Sequence, residues 1–395
     1  MNILVIGNGF DLAHGLPTKY GDFLKFVEVI RQVLNAKGEE INYIDWKDIH
    51  SEIKELIKIN MGNVRDNIFS QEQIWRELLE ENFWIEYFLQ CPMYQKENWI
   101  DFESEISNVI QSIDIDMKDN NLKLDDGASV VSNFYLEKFF HKRLPAAILD
   151  FGQSIQVITF REIRDILYQD LNKLTRAFEI YLCEYVGQIE SGEFSKEIKS
   201  LGIDHVLSFN YSHTYQKLYD KSKKIKYDYI HGESRFNSTI ESNNMVLGID
   251  EYLHKKSKDK EIDFIAFKKY YQRIYKETGS EYKNWVDEIA NSRYANEVSL
   301  REQFSKQIPY EKFNSKHKLY IFGHSLDITD KDVLRDLILN DNVYTTIYYL
   351  NKTVMGQQIA NLVKVIGQDE LIRRTGGSTK TIEFKLQAKL VERKG

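Results

Sequence analysis

The chain has 395 residues, with 53 Lys and Arg against 60 Asp and Glu, and the resulting net charge of −7 argues against a general basic face for nucleic acid. Hydrophobic content of 42% and aromatic content of 13% exclude a disordered chain, and the length suffices for one large domain or two ordinary ones. Its two cysteines, Cys91 and Cys183, exclude a four-cysteine zinc site and read as reduced thiols. No signal-peptide pattern and no apolar run near the roughly 20 residues of a membrane span is found, so the expected location is the cytoplasm, with no membrane partner.

In chain order, Ile3-Leu4-Val5-Ile6 is apolar without alternation, the pattern of a strand buried on both faces of a parallel sheet. Gly7 and Gly9 follow, and a glycine turn at a strand end brings backbone close to whatever lies above it. Backbone N–H groups left free there would suit a nucleotide phosphate, with Asp11 and His14 adjacent. A bare strand-to-helix turn is the alternative, since neither G-x-G-x-x-G nor a P-loop is present. Thr18 to Asn35 then reads as a helix. From Trp46 to Glu190 the periodicity is helical: Trp46–Ile59, Gln71–Gln90, Asn98–Ile113, Val130–His141 and a long stripe from Phe160 to Tyr181. Strands resume at Asp204–Phe209, Lys226–Ile230, Met245–Ile249, Lys318–Phe322 and Val343–Leu350, with Thr381–Leu386 as a candidate edge strand. Helices are expected at Tyr215–Lys221, as a pair between Asp263 and Ala295, at Asp330–Leu339 and at Val354–Ile366. The charge run His254–Glu261 and the basic tail after Arg373 read as solvated.

The fold class expected is α/β: a Rossmann-like, mostly parallel sheet formed by residues 1–36 and 200–395, with residues 37–199 inserted as a helical cap. Four polar clusters follow strands: Gly7-Asn8-Gly9-Phe10-Asp11, Ser208 to Thr214, Ile230-His231-Gly232-Glu233, and Gly323-His324-Ser325-Leu326-Asp327-Ile328-Thr329-Asp330. In a parallel sheet, strand ends on one side share a crevice, so these tips can converge. Each also has a structural reading. His231 can be a satisfied core histidine, Asn210 an Asx-turn residue, and Thr329 with Asp332 a helix cap.

Several of these motifs resemble the AbiH family of bacteriophage abortive-infection proteins. They are Gly-Asn-Gly-Phe-Asp-Leu-Ala-His-Gly-Leu-Pro-Thr, Ser-Phe-Asn-Tyr-Ser-His-Thr-Tyr, Tyr-Ile-His-Gly and Phe-Gly-His-Ser-Leu-Asp-Ile-Thr-Asp, with Trp99-Ile100-Asp101-Phe102-Glu103 between. The likeness runs to about Leu350 and implies a phage-defence protein that limits spread by sacrificing the infected cell; a phage-derived trigger, a homo-oligomer and a partner protein are left open by the sequence. The motif order is also similar to sirtuins and sirtuin-like NAD-consuming domains. That likeness implies that Gly7 and Gly9 hold NAD, that Asn210 orders ribose and water, that His231 is the base, and that Gly323 and Ser325 support the cofactor. Asn8, Phe10, His14, His324 and Asp327 are further candidates for nucleotide contact, and Asp11 for support of the ribose. The sirtuin zinc cysteines are missing, so no zinc is expected. The competing readings are a Mg²⁺-dependent nuclease or phosphohydrolase acting on nucleic acid, with ligands from Asp11, Asp327, Asp330, Asp101 and Glu103, and a nucleotide sensor without catalysis.

Overall fold

A computed structural model describes residues 1–36, 44–62, 71–97, 100–119, 133–139, 160–222, 224–253, 262–303 and 317–392. Trp99, the run His254–Glu261, and much of Val130–His141 lie outside the described residues. The chain forms two compact units: Met1–Leu16 with Glu190–Glu233 and Glu277–Gly395, and Pro17–Ile189 with Ser234–Lys276. The helix Tyr20–Asn35 and the segment Ser234–Lys276 therefore cluster with the helical unit.

The strands, all in the first unit, are β1 (Asn2–Ile6), β2 (Glu193–Phe194), β3 (His205–Ser208), β4 (Lys226–Tyr229), β5 (His317–Phe322), β6 (Val343–Tyr349), β7 (Ile382–Leu386) and β8 (Val391–Glu392). Six make one sheet in the order β4-β3-β1-β5-β6-β7, every pair parallel. Numbered by appearance within the sheet, that is the 3-2-1-4-5-6 order of the Rossmann fold, with the topological switch between β1 and β5. β2 and β8 form a separate antiparallel pair.

Unalternated apolar strands bury both faces. Ile3 and Val5 join Leu207, Leu319, Ile321 and Ile347 on one side, under helices carrying Trp285, Leu334 and Leu362. Leu4 and Ile6 join Val206, Tyr320 and Phe322 on the other, against Phe10, Ile198 and Tyr215. β7 lies at the sheet edge as expected.

The helical unit is held by aromatic packing. Phe102 stacks between Tyr20 and Phe88, each at 4.2 Å, while Phe26 meets Trp75, Tyr181 and Tyr185 within 5.3 Å. Tyr20 is half-buried, and each of the other side chains, fully buried, stabilises by about 1.5–3 kcal/mol. The long stripe forms a helix at Phe160–Ile180 that passes into a π turn, Tyr181–Tyr185.

Two expected elements differ. The helix expected over Gln71–Gln90 is two, Gln71–Leu79 and Phe83–Leu89. Glu81 takes a left-handed φ of 53°, and Asn82 restarts the helix by accepting from the N–H groups of Trp84 and Ile85. Met245–Ile249 is no strand; it makes one isolated bridge, Ile249 to Lys268. Its buried carbonyls are met by side chains instead, Met245 by Lys276 Nζ and Leu247 by Gln272 Nε2. An apolar run alone does not distinguish a ladder from a buried extended segment.

Candidate functional site

The carboxyl ends of β1 and β5 meet first. Gly7 N–H donates to Phe322 O, Gly9 N–H to Gly323 O and Phe10 N–H to Gly7 O, so these donors are not free for a phosphate as the sequence reading supposed. The glycines serve close backbone packing. A Cβ on Gly7 would lie 2.7 Å from Gly323 O and 2.8 Å from His324 Cα. Gly323 has φ +68°, and a Cβ there would lie 2.2 Å from Phe10 N. Phe10 and His14 are committed to the core. Phe10 packs against His14, Tyr215, Tyr219 and Phe322, and His14 Nδ1–H donates to Phe10 O while Nε2 accepts from Tyr219. Burial lowers the His14 pKa, as a neutral ring in that setting requires.

Around this junction sit two clusters. The first surrounds Asp11, which is 1% exposed. Ser212 Oγ donates to its Oδ2 and lies 3.1 Å from Thr214 Oγ1, while Oδ1 has no partner. Asn210 Nδ2 donates to Gly7 O at 3.0 Å, which ties the β3 tip to the β1 tip. Burial raises the Asp11 carboxyl to about 6 against the opposing effect of the Ser212 hydrogen bond and of the nearby Thr214 and Asn210 side chains. At the rim, half-exposed His213 pairs with Glu233 at 2.8 Å, and its ring lies 5.4 Å from Tyr229. Burial pushes the Tyr229 hydroxyl up, assisted by the charges of Glu233 and Asp11.

The second cluster is built on Asp330, which ends the short turn Ile328–Asp330 before the helix Lys331–Ile338. His231 Nε2 lies 3.4 Å from its Oδ1 and His324 Nε2 3.4 Å from its Oδ2. Burial pushes the Asp330 carboxyl up, but the two imidazoles outweigh it and hold it well below the usual carboxylate range. His231 Nδ1 is buried and has no partner. The Phe209 ring lies 4.3 Å from His324 and 5.6 Å from His231.

The sheet thus brings together Gly7, Gly9, Asp11, Asn210, His231, Gly323 and His324. Asn8 and Ser325 are exposed, and Asp327 caps the turn by accepting from Thr329 N–H. In the sequence Asp330 stands in the fourth polar cluster and as a candidate metal ligand but not as a partner of His231, and the signal for Ser212 and Thr214 is the pair of hydroxyls spaced two apart after Asn210. Asp101 accepts from Glu103 N–H and Ser104, Glu103 pairs with Lys269 at 2.6 Å, and Asp327 is a cap. Among the described residues no group of three or more His, Cys, Asp or Glu is placed to hold a metal ion. No described helix is long and apolar enough to cross a membrane.

A family model described as bacteriophage abortive infection AbiH matches residues 3–349. Comparison with curated proteins and with solved structures finds no match in either.

Proposed function

Because the chain belongs to the bacteriophage abortive infection AbiH family, a family whose description carries the abortive-infection role, we propose that its strand-tip site hydrolyses the glycosidic bond of a ribosyl nucleotide, with NAD as substrate. The observation that carries this reading is His231: one ring nitrogen faces an ionised carboxylate and the other is buried without a partner. That is the arrangement of a base oriented by an acid.

In the proposed reaction, water attacks the anomeric carbon of the nicotinamide riboside and gives a proton to His231 Nδ1. The C–N bond breaks, and its electron pair neutralises the departing pyridinium as nicotinamide. Asp330 keeps its charge and steadies the imidazole. Asp11, raised to about 6, carries appreciable negative charge near neutral pH and stabilises the positive charge developing on the ribose. Two carboxyls pushed in opposite directions are suited to two different roles. Asn210, its amide already donating to Gly7, has its oxygen left to accept from a ribose hydroxyl. The 3.4 Å contacts to Asp330 are loose, as catalytic hydrogen bonds often are before substrate arrives. The motif order resembles that of sirtuin-like NAD-consuming domains, and NAD is chosen as substrate on that resemblance.

The test is to incubate purified protein with NAD and, separately, with RNA and DNA, each with and without EDTA. Nicotinamide release that EDTA does not affect, reduced about 10²-fold or more in His231→Ala at unchanged thermal stability, is expected. EDTA-sensitive cleavage of nucleic acid, or NAD bound and left intact, overturns the proposal.

A further inference from the structure

His324 sits beside the proposed base yet has no atom left for a ligand. The N–H of Leu326 donates to its Nδ1 at 2.9 Å. That fixes the tautomer: Nδ1 carries no proton, so Nε2 carries one and presents it to Asp330 Oδ2. Phe209 packs against the ring, Gln358 Nε2 donates to the His324 carbonyl at 3.2 Å, and the missing Cβ of Gly7 makes room for the backbone. Leu326, fully buried, takes a left-handed φ of 61°, a conformation that L residues with a branched side chain rarely adopt. Strain of this kind persists where the surroundings over-determine it, and here it aims one N–H at one imidazole.

We propose that His324 is a positioning residue, locked by Leu326 so that its Nε2–H holds Asp330 and, through the other carboxylate oxygen, fixes the orientation of His231. This departs from the expectation that His324 contacts the nucleotide, and it rests on His231 being the base. Without the Nε2–H donor the carboxylate is free to rotate, and His231 Nδ1 loses its fixed direction. Misplacement of a catalytic group by about 1 Å costs about 10²-fold in rate.

Two isosteric changes separate this role from simple loop packing. His324→Gln keeps a donor where Nε2 lies and loses the acceptor for Leu326 N–H. His324→Asn keeps the acceptor and loses the donor. Nicotinamide release from NAD is measured for both, with unfolding temperature and the ¹H–¹⁵N imidazole spectrum of His231. Positioning predicts that the Gln variant stays within about 5-fold of wild type while the Asn variant falls about 10²-fold, with His231 losing its fixed Nε2–H tautomer in Asn alone. The reverse order overturns the proposal. So does equal activity in both variants, or an unchanged His231 spectrum in His324→Asn. If either protein unfolds, the wild-type imidazole spectrum serves instead: His324 is expected as its Nε2–H tautomer with Nδ1 accepting, and an Nδ1–H tautomer at His324 overturns the proposal. Full activity in His231→Ala would remove the base and leave the spectrum as the test of the His324–Asp330 link, so the two failures are distinguishable.

Discussion

In the helical unit, fully buried Glu179 is met by Arg176, Ser238, Asn243 and the N–H of Arg235. In the sheet unit, Asp11 is as deeply buried, yet one of its oxygens meets nothing. Six buried side-chain nitrogens or oxygens lack partners among the described residues. Only Arg235 Nε belongs to the helical unit; the others, including Asp11 Oδ1 and His231 Nδ1, belong to the sheet unit. An unmet buried polar group costs about 1–3 kcal/mol, so it persists where something other than stability retains it. The helical unit meets its buried acid on both oxygens, whereas the sheet unit leaves Asp11 Oδ1 and His231 Nδ1 unmet just beyond its strand ends.

Substitutions can break or sharpen this contrast. The largest effect is expected for Glu179→Ala, which strands Arg176 and three further donors in the helical unit; chemical denaturation should show a loss of about 4 kcal/mol. Gly323→Ala should cost about 3 kcal/mol, because its Cβ would overlap Phe10 N at a left-handed φ, and should abolish activity with it. Asp11→Asn should go the other way. A carboxyl raised from 3.8 to about 6 binds its proton more tightly folded than unfolded, so its contribution is present below 3.8 and lost as pH rises through about 6. The Asn variant should therefore exceed wild type by about 2–3 kcal/mol at pH 8, with the gap closing towards pH 4, while nicotinamide release falls. A flat difference across pH would contradict the burial of an ionisable Asp11. The smallest effect is expected at Gly356, exposed inside the helix Lys352–Ile366 with open space around it: Gly356→Ala should raise the unfolding free energy by about 0.5–1 kcal/mol and leave activity unchanged.

The contrast also marks what was legible in the residues. Each strand of the six-stranded sheet was legible in the residues, the central ones from apolar runs and β7 from its alternation, and the four polar tips were legible because parallel strands end on one side. The order of the strands and their pairing were not legible, since pairing is a long-range property. The junction of Gly7, Gly9 and Gly323 was misread as an opening for phosphate. Sequence marks a glycine without saying whether backbone or ligand approaches it, and here backbone does. Asp330 was legible only as a candidate Mg²⁺ ligand beside the cap expected at Thr329 and Asp332; in the structure Asp330 is itself the N-cap residue of Lys331–Ile338, no side-chain cap bond forms, and the turn Ile328–Asp330 turns its carboxylate to His324. Met245–Ile249 misled because burial without alternation fits a strand, while Gln272 and Lys276, which satisfy its carbonyls, lie more than twenty residues away.

The most direct measurement is of nucleotides in infected cells. Cells carrying wild-type protein or His231→Ala, matched in abundance and unfolding temperature, are infected with a phage that the wild type restricts, and NAD, nicotinamide and ADP-ribose are followed by mass spectrometry. The account predicts that NAD falls and its hydrolysis products rise in wild type alone, and that restriction fails with His231→Ala. Restriction by His231→Ala at the wild-type level, or restriction by wild type with NAD undiminished, would contradict it.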